Sequence, residues 1–510
     1  MSKYNYNLGM YFEDIAKKYS SNIAIKYENK TYSYFELNVK ANALVQFIVG
    51  RGVSQGDVVA IANTKNINSF ALMIACLKTG IIYVNIDIEG PGKRLEKILK
   101  TCEPKIVFSD RENDLIKKIS KQMSVEYFLL TEELLYNIKK AELPTIETIS
   151  KVDGSSIAYI MFTSGSTGVP KGAAITHQNL IHLINWSRSF YNIKDDDVFA
   201  NVSPMYFDNS VFDFFSALFS GASMVPVKKD IITNPLLLVN YVDYFQCTIW
   251  FSVPSLLIYL MNMKGLSVDK FIYIRIIAFG GEGYPKIELV KLYELYKERA
   301  EIVNVYGPTE CTCICSANKL KDNDFSDLKG LPALGRLNQN FCYLILDENG
   351  NETSEGELYL IGPNVGAGYY NDSKRTGQSF FQCNTKKHYS KRMYKTGDIV
   401  EKKDEILFFK ARVDNQIKHM GYRIELEEIE AGLNVIKGIK QSAVVYKKNE
   451  FTGEIIAFIS LRVELAKESI EKELSKIIPV YMIPNKIKIL KSLPLNNNGK
   501  IDKKSLYKLI

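Results

Sequence analysis

DVVAIANTKNINSFALMIACLKTGIIYVNID spans residues 57–87. Its two ends, DVVAIAN and IIYVNID, are short apolar runs of strand character. Between them INSFALMIACLKTG has a helical pattern. A strand, a helix and a second strand are the repeating unit of a mostly parallel sheet covered by helices. The rhythm continues through RLEKILKTC and KIVFSD. It returns at TIWFSVP, at IRIIAFGGE before KIELVKLYELYKERA, and at EIVNVYGPTE.

After about residue 330 the texture changes. CYLILDENGN, GELYLIGPNVGAGYY and DEILFFKARVDNQIK are hairpin-like, with Gly and Asn turns that predict antiparallel sheet. From near Asp414 a last segment reads as a capped amphipathic helix (IELEEIEAGLNVI), two strands (SAVVYKKN and EIIAFISLRV) and a second helix (SIEKELSKIIP). That is enough for a small α+β domain joined by a short junction, and short junctions between separate cores permit hinge rotation.

The bulk numbers set limits. At 510 residues the chain exceeds what one core normally serves, so two or more domains are expected. With 46% hydrophobic and 24% charged residues it is an ordinary globular protein rather than a disordered one. A formal charge of +8, with lysines spread along the chain, does not favour nucleic acid as a partner. The eight cysteines have no framework spacing. In CTCIC, Cys311, Cys313 and Cys315 alternate and are expected on one face of a strand; with no His nearby they read as buried thiols rather than a zinc site, which points to a reducing, cytoplasmic setting. The N-terminal MSKYNYNLGMYFEDIAKKYS reads as an amphipathic helix rather than a signal peptide, and no apolar run of about eighteen residues predicts a membrane span.

FTSGSTGVPKG (162–172) packs glycine, serine, threonine and lysine into a segment that follows the apolar run IAYIMF. Successive backbone N–H groups in such a turn form a positive concavity suited to an oxyanion. It is not a Walker A loop: Pro170 precedes Lys171, and Gly172 stands where a magnesium-binding Ser or Thr belongs. By composition alone, a glycine-rich surface turn without a ligand remains the alternative.

YIMFTSGSTGVPKG (159–172) closely resembles the phosphate-loop signature of the adenylate-forming enzymes, the superfamily of acyl-CoA synthetases, luciferases and peptide-synthetase adenylation domains. Five further stretches match the amino-acid-activating branch in order: YFDNSVFDFF (206–215), NVYGPTE (304–310), YKTGD (394–398), ARVDNQIKHMGYRIELEEIE (411–430) and LPLNNNGKID (493–502). The resemblance implies an α/β fold with a large N-terminal domain of helix-covered mixed sheets plus a β-barrel-like part, residues 1–412. A small mobile α+β C-terminal domain, 413–510, would turn about a hinge at Asp414.

The same resemblance implies ATP and Mg²⁺. Thr163, Ser164, Ser166, Thr167 and Lys171 would hold the β- and γ-phosphates. In the segment Asn304, Val305, Tyr306, Gly307, Pro308, the Tyr306 ring would lie along the purine; Thr309 would donate to the α-phosphate and Glu310 would hold Mg²⁺. Asp398 would take the ribose hydroxyls, with Arg412 near the ribose and phosphate. Lys500 would bring its ammonium to the charge that builds up in the transition state. No Ser-His-Asp or Cys-His pattern competes, and the reaction the resemblance implies, attack of a substrate carboxylate on the α-phosphorus of ATP to give an acyl-adenylate and pyrophosphate, needs no protein nucleophile.

Asp208 matches the aspartate that pairs with the α-ammonium of an amino acid, since a buried ammonium without a counter-charge is costly. Asn209, Phe212, Phe251, Ala278, Gly280, Val305, Cys313 and Ile314 would line the side-chain pocket, two Phe narrowing it and Gly280 opening one wall. The stretch around KHMGYR would line a tunnel for the phosphopantetheine thiol of a separate carrier protein, Gly421 leaving room for that arm. Within the branch the chain looks most like the D-alanine–carrier-protein ligases. It departs from them at GGE (280–282), where they have CGE, and at Phe251, where they have a smaller residue. An acyl-CoA ligase acting on a non-amino acid shares every ATP motif and differs at Asp208. A non-catalytic nucleotide-binding regulator is disfavoured by Lys171, Glu310 and Lys500 together.

Overall fold

Val58–Ala62 and Ile82–Ile86 pair in parallel, and helix Ile67–Thr79 connects them, as residues 57–87 predict. Asn66 caps the helix by accepting from the Asn68 N–H, and Gly80 ends it in a left-handed conformation (φ 68°) that glycine adopts without steric cost. The computed structural model in which this is seen describes residues 4–136, 146–165, 168–339, 341–386, 389–448, 453–494 and 501–510. Among them, no helix is long and apolar enough to cross a membrane.

The chain divides into two compact units. Met1–Ile88, Cys102–Met161 and Gly172–Ala411 form one; Glu89–Thr101, Phe162–Lys171 and Arg412–Ile510 form the other. The sequence predicts an unbroken stretch 1–412 in the first domain. Two short segments depart from that grouping because they bond to the last one, as described below.

The larger unit is built on two mixed sheets. One, of seven strands, carries the pair just described flanked by Ile106–Ser109 and Ile157–Thr163, all four parallel. The other, of nine strands, runs parallel through Ile23–Tyr27, Ser223–Pro226, Val198–Asn201, Ile249–Ser252, Ile276–Gly280 and Glu301–Tyr306, with antiparallel strands at both edges. Alternation along these strands divides the core. Phe199, Phe251, Ala278 and Val303 join a cluster shared with the seven-stranded sheet and with helices Leu8–Lys18, Ile67–Thr79, His177–Phe190 and Asn209–Leu218. Their neighbours Val198, Ala200, Trp250, Ile277 and Ile302 face the opposite cluster, with Leu238, Leu257 and Leu289 from three outer helices. Burial on both faces is why these strands read as continuous apolar runs.

The part expected to be barrel-like is a five-stranded antiparallel sheet of Cys342–Leu346, Glu355–Ile361, Phe380–Lys386, Tyr389–Lys403 and Ile406–Arg412. Its buried Leu358, Leu360, Val400 and Leu407 pack with Tyr306 and Cys315.

In the second unit, Gly453–Leu461 pairs antiparallel with Ile439–Lys448 and parallel with Lys486–Ile489. Ile455, Ala457 and Ile459 face helices Leu426–Asn434 and Lys467–Leu474, while Ile456 and Phe458 face helix Lys503–Tyr507. A hairpin of Gln416–His419 and Tyr422–Glu425 precedes this sheet. Its two-residue turn has positive φ at both Met420 (52°) and Gly421 (79°), the backbone that matches the twist of paired strands. Turn geometry therefore gives Gly421 a reason of its own, besides the room expected for a pantetheine arm.

Candidate functional site

Strand Glu301–Tyr306 ends on a tight reversal. Gly307 is obligatory there, because a Cβ would lie 2.2 Å from the Cys313 carbonyl oxygen. Thr309–Cys311 form one 3₁₀ turn, and Thr312 and Cys313 follow with φ of 64° and 69°. The Cys315 N–H then donates to the Tyr306 carbonyl, and Ser316–Lys319 returns antiparallel. CTCIC is thus a reversal, not a strand. Consecutive left-handed residues break the alternation, sending Cys313 into the core with Phe212 and leaving Cys311 and Cys315 beside Tyr306. All three thiols are buried. Burial first, then the charges of Asp208 and Asp213, hold the Cys313 thiol far above its ordinary pKa, so it stays protonated.

This reversal presents three acidic contacts. The Thr309 hydroxyl donates to Asp208 Oδ2 at 2.6 Å. The Tyr306 phenol donates to Asp398 Oδ2 at 2.6 Å, and the Tyr369 phenol to Glu310 Oε1 at 2.7 Å. Asp208 comes from the start of helix Asn209–Leu218, and Asp398 from the long strand Tyr389–Lys403. Thr309, Glu310, Asp208, Asp398 and Tyr306 are thereby joined in the larger unit, with Asn304 anchored to the Ala333 carbonyl at 2.7 Å. Tyr369 escaped sequence reasoning: GAGYYND carries no spacing that marks a tyrosine as the partner of an acid 59 positions earlier in the chain.

Phe212, Phe251, Ala278, Val305, Cys313 and Ile314 belong to one buried cluster, so the structure does bring these expected pocket residues together. Phe212 and Phe251 meet edge to face at 5.3 Å. Asn209 lies one turn before Phe212 on the same helix, and its buried Nδ2 finds no hydrogen-bond partner among the described residues. Gly280 does not open a wall. A Cβ at that position would lie 2.4 Å from the Val305 carbonyl oxygen and 2.7 Å from its Cγ2, so the glycine lets two adjacent strands approach at their carboxyl ends.

Within the second unit, the glycine-rich loop is bonded to the hairpin and the helix that follows it. Ser164 Oγ donates to the Arg423 carbonyl at 2.7 Å, the Gly165 N–H to Glu428 Oε2 at 3.2 Å, and Lys171 Nζ lies 3.5 Å from Glu425 Oε1. The buried Thr163 Oγ1 has no partner among the described residues. An orphaned hydroxyl in a loop of this composition fits an oxyanion ligand. Burial lifts the Glu425 carboxyl above its usual range against the opposing charges of Lys171 and Arg423. Glu425 occupies the N-cap position of helix Leu426–Asn434 yet makes no capping hydrogen bond, so the helix expected to be capped lacks a side-chain cap.

Arg412 forms a two-pronged pair with Asp414, Nε to Oδ1 at 2.8 Å and Nη2 to Oδ2 at 2.6 Å. Burial works to raise the Asp414 carboxyl, and the bonds and charge of Arg412 outweigh it, leaving the pKa below its ordinary value. Ser166, Thr167 and Lys500 lie outside the described residues.

Glu310 is fully buried, and among the described residues no three His, Cys, Asp or Glu side chains gather as a metal cage. A lone carboxylate fits a magnesium ion whose other ligands are phosphate oxygens and water.

The family model described as "AMP-binding enzyme" matches residues 12–370, and that of the "AMP-binding enzyme C-terminal domain" matches 428–500. A D-alanine–D-alanyl carrier protein ligase of Bacillus cytotoxicus is 30% identical over 496 residues, 95% of each chain. Gramicidin S synthase 1 of Brevibacillus brevis is 32% identical over 501 residues, 97% of this chain. The chain spans only 44% of that synthase and 11% of the gramicidin S synthase 2 of the same organism. Among solved structures, a peptide-synthetase protein with adenylation and PCP domains shares the fold at TM-score 0.85 and 22% identity, over 99% of this chain and 84% of its own. The Vibrio cholerae adenylation domain AlmE, solved with glycyl-adenosine-5'-phosphate, does so at TM-score 0.81 and 22%, over 100% and 98%. With both family models matched in order and a relative alike along nearly its whole length, this chain belongs to the AMP-binding enzymes.

Proposed function

We propose that the protein activates an amino acid with ATP as an aminoacyl-adenylate and passes it to the phosphopantetheine thiol of a separate carrier protein. The observation that carries this reading is the 2.6 Å hydrogen bond from Thr309 to Asp208. In an α-amino acid a single carbon separates the ammonium nitrogen from the reacting carboxylate. A counter-charge for the ammonium and a donor for the α-phosphate must therefore be neighbours, and these two side chains touch.

The substrate carboxylate attacks the α-phosphorus, forming a C–O–P linkage as the bond to pyrophosphate breaks. Thr309 steadies the α-phosphate, Asp208 fixes the ammonium, and Asp398, oriented by Tyr306, takes the ribose hydroxyls. Lys171 with Thr163, Ser164, Ser166 and Thr167 holds the departing phosphates, and Lys500 neutralises the charge at the α-phosphate. Mg²⁺ held by Glu310 would supply charge neutralisation on the triphosphate. The carrier thiolate then attacks the acyl carbon, and AMP leaves. The 1–412 and 413–510 division, with Asp414 as hinge, belongs to this proposal, and the pairing of Arg412 with Asp414 supports a specialised junction there.

Asp208 speaks against the acyl-CoA ligase reading, because a non-amino acid has no charge to satisfy it. The Bacillus relatives support a D-amino acid only at the level of kinship. A cysteine in place of Gly280 would collide with the Val305 backbone, so their CGE pattern does not fit this strand pair unchanged.

In an ATP–pyrophosphate exchange assay across L- and D-amino acids, at least one amino acid will support exchange and octanoate will not; exchange with octanoate alone refutes the role of Asp208. Lys500→Ala will lower adenylation by about a hundredfold or more, the effect of losing one preorganised charge, and near-normal turnover would remove the lysine from the mechanism. Gly280→Cys will destabilise the protein by about 1–3 kcal/mol in urea unfolding through overpacking, without a gain in D-alanine exchange.

A further inference from the structure

Two carboxylates of the IELEEIE segment reach the glycine-rich loop, and they do so as a phosphate would. Glu428 is almost fully buried and divides its oxygens: Oε2 accepts from the Gly165 N–H at 3.2 Å, and Oε1 accepts from the guanidinium of Arg94. Glu425, three positions earlier, faces Lys171. Arg94 lies on helix Gly92–Cys102, and one turn further along Lys97 donates to the Gly168 carbonyl at 2.6 Å, which holds that helix against the same loop. A backbone N–H and a guanidinium that meet at one carboxylate are a donor set for an oxyanion. An ion pair with Arg94 alone would match the Glu428 charge. The added bond from the Gly165 N–H ties that carboxylate to the loop backbone as well.

We propose that Arg94 and the Gly165 N–H form an oxyanion site in which Glu428 sits as an internal carboxylate, and that the terminal phosphates of a polyphosphate ligand displace Glu428 and take Arg94 as a partner. The inference rests on reading the loop as the holder of the β- and γ-phosphates. It adds Arg94, outside every motif of the sequence reading, to the phosphate ligands. It also makes Glu428 a competitor of ATP and pyrophosphate. Chain topology makes the exchange local, since Glu428 stands in the first turn of Leu426–Asn434 and needs only to withdraw with that turn.

The test is calorimetric titration of the full chain with inorganic pyrophosphate. Glu428→Gln keeps the shape and removes the competing charge, so pyrophosphate binds about tenfold tighter or more. Arg94→Gln removes a ligand, so pyrophosphate binds about tenfold weaker or more. Opposite shifts are the signature. A merely structural ion pair moves both variants in the same direction or neither, and either result overturns the proposal. Should Glu428→Gln fail to fold by circular dichroism, Arg94→Lys takes its place. That variant keeps the charge but loses the fork, so it must weaken pyrophosphate binding at an unchanged melting temperature; unchanged affinity overturns the proposal. Amino-acid-dependent exchange in the wild type together with unmoved pyrophosphate affinities sinks this inference alone. Absence of both exchange and pyrophosphate binding sinks the underlying reading of the loop as well.

Discussion

The Thr309 hydroxyl reaches the Asp208 carboxylate only because two chain reversals 101 residues apart end at the same place. Strand Glu301–Tyr306 delivers Thr309 and helix Asn209–Leu218 delivers Asp208, both at the carboxyl end of the nine-stranded sheet. Open α/β sheets place ligands there because strands stop and helices start along one edge. The constraint propagates outward. Gly307 has to be glycine for the reversal to close, and Gly280 has to be glycine for the neighbouring strand to lie against Val305. The buried aromatic pair Phe212 and Phe251 fills what is left beneath.

A second regularity joins the acids of this region. Asp208, Asp398 and Glu310 each accept from a hydroxyl, those of Thr309, Tyr306 and Tyr369. Hydroxyl donors orient a carboxylate and offset part of its desolvation without adding a counter-charge of their own. The glycine-rich loop follows the opposite plan. There the protein's own acids, Glu425 and Glu428, lie against a cationic and N–H-bearing segment.

Much of the architecture was legible in the sequence, for a plain reason: buried parallel strands of four to six residues and their covering helices leave apolar runs of different period, and residues 57–87 display all of them. Six of the residues expected to line a pocket belong to one large buried cluster. What stayed hidden depended on dihedral angles and distant contacts. Nothing in CTCIC announces positive φ at Thr312 and Cys313, so it read as a strand. Gly280 read as empty space, because a sequence does not reveal which backbone lies against a missing Cβ. Tyr369 and Arg94 owe their positions to pairings with residues far away in the chain. The first segment bound to the second unit, Glu89–Thr101, looked like any other crossover helix.

The adjacency of ammonium site and phosphate donor is tested most directly by binding two stable adenylate mimics. One is the sulfamoyl-adenosine derivative of the amino acid that best supports exchange; the other is its counterpart lacking only the α-amino group. Calorimetry is predicted to show the wild type favouring the amino-bearing mimic by about a hundredfold or more, and Asp208→Asn losing that preference while still binding both. Equal affinity of the wild type for the two mimics would contradict it.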